Sequence, residues 1–327
     1  MDYISCNDRV ARRNGSRGER HGMIVGLDIG GHHVAGALLN RQGHGILVKS
    51  YRHSETRSGA ASAELLDAWA NLITTIAPDT DQVTGVGIAM PGPFDYRTGT
   101  AFFEGNGKFE SLYGINVRDE LQRRLPVSRE IRFLNDATAF AVGCAAMGAT
   151  GSCTRVLAIT LGTGLGAAFL DSGIPVIEEE PGVVPPGGCL WNLPFKHGIA
   201  DDYVSSRWLL TEGARQSGRP QENVARMAAD ARQNEVVREV FAEYGANLAA
   251  IVAPWARGFG AETIMLGGRI AGAFDLFAPT LRQGLAACDM AIPILIHENT
   301  EDAAIVGAGQ MFTPAFWAEA RTRLPRR

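Results

Sequence analysis

Lysine is scarce in this chain of 327 residues: of its 31 basic residues only Lys49, Lys108 and Lys196 are lysines. The arginine excess is read as a compositional bias, because no basic block interrupts the part expected to fold and the formal net charge is -4. Such a surface repels a phosphate backbone overall, so no nucleic-acid partner is expected. Cysteine is sparse as well. Cys6, Cys144, Cys153, Cys189 and Cys288 are odd in number, widely scattered and without a CxxC pair. That argues against a disulfide framework and a CxxC redox or zinc pair, and points to reduced thiols in a cytoplasmic protein. No apolar run approaches the roughly 20 residues that a membrane-spanning helix needs, so no membrane partner is expected. The balance of 46% hydrophobic to 20% charged residues argues against disorder.

Glycine is in excess, with 39 residues, about 12% against a typical ~7%. Where glycines cluster, the backbone either approaches something closely or takes unusual dihedrals. The length exceeds what one compact core usually absorbs and predicts two domains.

Residues 1–22 have no hydrophobic period and no signal-peptide core, and are expected to be a disordered leader with Met23 as a candidate start. From Met23, the β-rich segments MIVGLDIGG, HVAGALLN and GILVKSYRH predict an antiparallel meander. A helix is expected over 60–76, with Leu65, Leu66, Trp69, Leu72 and Ile73 on one face. A strand over 83–89, a turn at Pro91-Gly92-Pro93, a helix over 117–124, a strand over 130–134 and a small-residue helix over 137–147 follow. The opening then repeats: strands over 155–161 and 167–170 flank a glycine turn at 162–166. Aligning VGLDIGG with LAITLGT puts Gly30 on Gly162 and Asp28 on Thr160, an offset of 132 residues that predicts two related halves. Helices over 202–216, 221–231 and 235–255, strands over 263–266 and 293–297, and a helix starting over 303–311 complete an α/β pattern.

Three segments carry chemistry. Around Asp28-Ile29-Gly30-Gly31-His32, adjacent glycines let main-chain N–H groups face a phosphate, and a carboxylate at a strand end holds a hydrated Mg²⁺; the alternative is a tight hairpin needing positive φ. Gly162-Thr163-Gly164 superficially matches the dinucleotide fingerprint, but no helix follows directly, so a second phosphate-cradling hairpin fits better. At Asn135-Asp136 a strand ends and a helix begins. Its carboxylate is placed to take a proton from a substrate hydroxyl, and the simpler role is a helix cap.

Together, GLDIGGHHVAGALL, GVGIAMPGPFD, LNDATAFAVG, LAITLGTGLGAAFL, IMLGGRIA and DAAIVGAG resemble the ROK sugar kinases of the actin/hexokinase/heat-shock-chaperone superfamily, from Met23 to about Gly309. The resemblance implies two ribonuclease H-like (actin-like ATPase) α/β domains facing a cleft: 23–130, and 131–309, with a C-terminal helix within 310–327 packing back on the first. It also implies ATP- and Mg²⁺-dependent phosphorylation of a hexose, glucokinase-like at the 6-hydroxyl, or of an N-acetylhexosamine. Asp136 would be the general base, and Asn135, Asp201 and Asn106 would hold the sugar. Gly30, Gly31, His32, Gly162, Thr163 and Gly164 would surround the ATP phosphates. Asp28 would lie near Mg²⁺ through water, and Gly267 and Gly268 would border the adenosine. Members are commonly dimers or tetramers, so a homodimer is expected.

The chain departs from the family where a Gly-Glu-x-Gly-His segment and a cysteine-rich zinc motif would stand. Here Glu178-Glu179-Glu180-Pro181-Gly182 is followed by PPGGCLWNLPFKHGIADDYVS. A lone Cys189 with His197 cannot supply four zinc ligands, so no structural zinc is expected, and His197 is read as a solvent-facing loop residue. Asp201 is balanced between a helix cap and a sugar contact. Trp191 and Phe195 are expected to pack in the core, with stacking on a sugar as the alternative. The family also includes sugar-responsive repressors, and the 22 residues ahead of Met23 are not expected to build the DNA-binding helix-turn-helix that these need.

Overall fold

A computed structural model describes residues 22–31, 33–40, 45–78, 83–105 and 107–324. The predicted leader up to residue 21, and the side chains of His32 and Asn106, lie outside the described residues.

Strands β1 (Met23–Ile29) and β2 (His33–Leu39) form the predicted hairpin, and β3 (Arg52–Glu55) pairs antiparallel with β2. The third strand starts later than expected, because Val48–Ser50 form a 3-10 turn and the Ser50 hydroxyl accepts the Leu38 N–H at 2.8 Å. Helix α1 (Ser62–Ile76), strand β4 (Val83–Met90), a ribbon of β5 (Phe94–Asp95) and β6 (Thr100–Ala101), helix α2 (Val117–Arg124), strand β7 (Glu130–Asn135) and helix α3 (Asp136–Ala146) follow. The sheet order is β3-β2-β1-β4-β7, with β1, β4 and β7 parallel.

The second half opens with β8 (Arg155–Leu161), β9 (Leu165–Asp171) and β10 (Ile174–Val176), then a ribbon of β11 (Pro194–Phe195) and β12 (Gly198–Ile199). Next come helices α4 (Ser206–Ser217), α5 (Val224–Ala231) and α6 (Glu235–Phe259), strand β13 (Thr263–Gly267), helix α7 (Phe274–Ala286), strand β14 (Ile294–Ile296), and helices α8 (Thr300–Gln310) and α9 (Pro314–Arg323). Its sheet order, β10-β9-β8-β13-β14, repeats the first. Met23 corresponds to Arg155 and Leu39 to Asp171, so the strand bounds of the two hairpins repeat at the offset of 132, while their pairing slips by one residue: Ile24 faces Leu39, whereas Arg155 faces Asp171. The alternation of a strand divides β8 between two cores: Val156 and Ala158 join the first, and Leu157 and Ile159 the second.

Three helices differ most from expectation. The α4 helix begins at Ser206 rather than Asp202, because Ala200–Asp202 form a separate 3-10 turn and Ser205 Oγ caps α4 by accepting the Trp208 N–H. Helix α6 runs through Pro254 to Gly260, whose left-handed φ of 67° ends it. Helix α7 was not anticipated, because Pro279 lies inside it. Helix α8 is the joint of the molecule: a Cβ on Gly26 would stand 2.4 Å from Ile305 O, and one on Gly87 2.1 Å from Ala308 O, so α8 lies directly on the first sheet. Phe316, Ala320 and Leu324 of the last turns join the first core, and Arg97 donates to Leu324 O at 3.0 Å. No helix among the described residues is long and apolar enough to cross a membrane.

Candidate active site

Asp28 pairs in register with Ala89, and Ala89 with Leu134, so the carboxyl ends of β1, β4 and β7 lie level at one edge of the sheet. That is where ligands bind in parallel α/β sheets. The edge carries Asp28, the turn after Met90, and Asn135-Asp136. Asn135 Oδ1 accepts the Thr138 N–H at 3.1 Å and so caps α3, while its Nδ2 donates to Asp136 Oδ1 (3.0 Å) and to the Tyr96 hydroxyl oxygen (3.2 Å). Tyr96 in turn donates to Met90 O at 3.1 Å. The Ala137 N–H also reaches Asp136 Oδ1 at 2.8 Å. The cap is therefore Asn135, and Asp136 keeps its other oxygen free of these bonds. Burial raises the Asp136 carboxyl above its ordinary pKa, against the opposing pull of these N–H donors and of the Lys108 ammonium.

None of Gly30, Gly31, Gly162 and Gly164 takes a left-handed φ, so the hairpins do not need glycine for their turns. Close approach instead favours glycine at some of these positions, most of all at Gly164. A Cβ on Gly31 would stand 3.2 Å from Lys108 Cδ, and one on Gly164 2.7 Å from Asp201 Oδ1, while Gly162 faces open space. The second hairpin touches the start of α3, since a Cβ on Gly166 would stand 2.8 Å from that of Ala137. Gly268, at φ 87°, packs on Leu161 of the same hairpin, and its N–H donates to Thr300 Oγ1 at 2.7 Å. Gly267, Gly268 and the start of α8 thus border the Gly162–Gly164 turn.

Beside Asp28, the His33 Nε2 lies 3.0 Å from Glu301 Oε2 and 3.9 Å from Asp28 Oδ2. Burial lifts Asp28 to about 6, and its two carboxylate neighbours lift His33 to about 9. Asp28 and Glu301 offer the oxygen donors that a divalent cation takes, so the residues fit Mg²⁺ beside the first hairpin.

Asp201 is no helix cap. Its Oδ1 accepts the Leu165 N–H at 2.7 Å, tying the 3-10 turn to the second hairpin, and burial raises its pKa. Trp191 is 42% exposed rather than in the core, whereas Phe195 packs partly buried against the second core and edge-on to Tyr203. His197 is exposed.

Three residues of the site have no motif of their own. Lys108 lies beside Gly31 and acts electrostatically on both Asp136 and Asp201. Its signal was rarity: it is one of three lysines, in a glycine-rich loop. Tyr96 and Cys189 both have their pKa raised, first by burial and then by the Asp136 charge, and Asn135 links Tyr96 to that carboxylate. Cys189, in the segment where the sequence departs from the family, thus feels the Asp136 charge.

The pattern of the ROK family matches residues 24–312. The chain belongs to the ROK family. Among relatives of this ROK protein, a glucokinase of Thermotoga maritima is 27% identical over 319 residues, covering 88% of this chain and 96% of the relative. An N-acetyl-D-glucosamine kinase of Haemophilus influenzae is 30% identical over 179 residues, 54% of this chain and 53% of the relative. A xylose repressor of Caldicellulosiruptor bescii is 25% identical over 301 residues, 80% and 69% of the two chains. A ROK family glucokinase from Streptomyces griseus, solved with glucose and AMPPNP, shares the fold at a TM-score of 0.69 and 22% identity, covering 89% of this chain and 99% of that one. The expected actin-like ATPase fold is thereby found, with its duplicated sheets and the ROK motifs at their strand ends.

Proposed function

We propose that this chain is an ATP-dependent sugar kinase that transfers the γ-phosphoryl group to the 6-hydroxyl of a hexose, acting in the cytoplasm as a homodimer. The observation that carries the reading is Asp136: a carboxylate oriented by Asn135 and the Ala137 N–H, between two duplicated glycine hairpins and next to Lys108. In this reading Asp136 accepts the sugar hydroxyl's proton as that oxygen attacks phosphorus. The N–H groups of Gly30, Gly31, Gly162, Thr163 and Gly164 cradle phosphate oxygens, and Lys108 neutralises charge developing between the hairpins. Asn135 and Asp201 line the sugar side, and Gly267 and Gly268 border the adenosine. Asp28 and Glu301 would hold the divalent ion that accompanies ATP, and that ion would offset phosphate charge. In this reading Cys189 with His197 is too small a ligand set for a structural zinc, so the sugar is held without one.

A coupled ADP-release screen with Mg²⁺-ATP over glucose, fructose, mannose, allose, N-acetylglucosamine and N-acetylmannosamine tests this. Glucose is expected to give the highest kcat/KM, and Asp136→Asn to lower kcat by about 10²–10⁴-fold. No sugar-dependent ADP release above that variant's background would overturn the kinase reading. A preference for N-acetylglucosamine would select the second reading, which the identity to the N-acetyl-D-glucosamine kinase favours.

A further inference from the structure

Asp28, His33 and Glu301 come from three elements, the end of β1, the start of β2 and the first turn of α8. One ligand atom of each nevertheless lies within 4.8 Å of the other two. For ions bonded at about 2.1 Å, neighbouring ligand atoms stand roughly 3.0–3.5 Å apart. The separations of 3.0 Å and 3.9 Å around His33 Nε2 are therefore close to those of a filled coordination shell. The ligands are also supported from behind. The Tyr51 hydroxyl donates to Oε1 of Glu301, leaving Oε2 beside the imidazole, and the His53 ring stacks on His33 at 5.6 Å and 14°. Outer contacts of this kind fix ligand orientation in metal sites. No other group of three His, Cys, Asp or Glu residues among the described ones meets the same geometric condition.

The donor chemistry discriminates between ions. Mg²⁺ takes oxygen ligands and keeps much of its water, whereas an imidazole with two carboxylates suits first-row transition ions, whose affinity for nitrogen rises from Mn²⁺ toward Cu²⁺. We propose that Asp28, His33 and Glu301 together bind one divalent transition-metal ion, of the Mn²⁺ to Zn²⁺ series, in preference to Mg²⁺. This deepens the kinase reading and rests on it for the ion's place beside the phosphate hairpins. The binding itself requires neither nucleotide nor sugar, and the ion displaces the proton that His33 Nε2 shares with Glu301, releasing it to solvent.

The test is calorimetric titration of the chelator-stripped full chain with Co²⁺, without ATP or sugar, and with Mg²⁺ as competitor. One saturable site is expected, displaced by Mg²⁺ only at about a hundredfold or greater excess. His33→Gln and Glu301→Gln, each checked for folding by circular dichroism, should weaken Co²⁺ binding by about tenfold or more. Tyr51→Phe should weaken it by less, and takes the place of either variant that does not fold. No saturable Co²⁺ site, Mg²⁺ competing on equal terms, or unchanged affinity in a folded variant would each overturn the proposal. The sugar screen is read separately in Mg²⁺, so a failed titration and a failed kinase assignment are distinguishable.

Discussion

Asp136 is under two opposed electrostatic influences: burial raises its carboxyl pKa, and Lys108 lowers it. A base must be ionised to accept a proton, so burial moves the acid limb of kcat/KM to higher pH than an ordinary carboxylate gives, and Lys108 holds it back. Lys108→Met is therefore expected to shift that limb further toward higher pH. It should also lower kcat by about tenfold or more through lost charge neutralisation, with Lys108→Arg recovering part of both. A pH-rate series on the three proteins measures this, and an unshifted limb in Lys108→Met would remove Lys108 from the electrostatics of the base. Motif residues such as Asp28, Asn135 and Asp136 were legible because short local patterns at strand ends carry them. Lys108, Tyr96, Cys189 and Glu301 were not, because separate loops and a distant helix bring them to the site, and spacing in the sequence says nothing of that. Nor did the sequence distinguish a glycine needed for positive φ from one needed for close approach; only the neighbours of Gly31 and Gly164 do.

Elements were most legible where the chain repeats itself. The hairpins β1–β2 and β8–β9 follow from apolar alternation and a shared glycine turn, and their bounds agree at both ends. Helix α7 was obscured by proline, which reads locally as a breaker but is tolerated where packing supplies the lost stabilisation; in α9 Pro314 stands in the first turn, where no helical hydrogen bond is lost. The small residues of α3 and α8 gave no amphipathic stripe to read, and their purpose emerges only from the crossing. A Cβ on Gly143 would stand 1.8 Å from Ala303 O, and one on Gly307 1.8 Å from Ala139 O. Backbone on both sides cannot withdraw as a flexible side chain would. Gly307→Ala is expected to cost roughly 3 kcal/mol, at the upper end of overpacking penalties, despite alanine's better helix propensity. Gly59→Ala, with no atom within 4 Å of the added methyl, should be nearly neutral. Urea titrations of the two variants check the contrast, and equal midpoints would mean that the helices separate more easily than their contact implies.

At the scale of the whole molecule, the duplication is visible in the sequence but the coupling of the halves is not. The first sheet ends in sequence at Asn135, yet the surface of β1 and β4 is covered by Ile305 and Ala308 of α8, and its core includes Phe316, Ala320 and Leu324. Strand β8 contributes side chains to both cores, and α3 of the first half interlocks with α8 of the last. Neither core can then be completed without residues from far along the chain, and the loop-closure entropy for those contacts is offset only when both halves form. Two hairpin-built halves that look separable by topology are therefore expected to unfold as one unit. Trp69 reports on the first core and Trp208 packs against the second, so variants in which one of these is the sole remaining tryptophan of the five give each core its own fluorescence signal. Their urea transitions should share one midpoint and one slope, and Gly307→Ala should move both midpoints together. Two separated transitions, or a Gly307→Ala shift confined to the Trp69 signal, would show that the halves are independent folding units and that α8 belongs to only one of them.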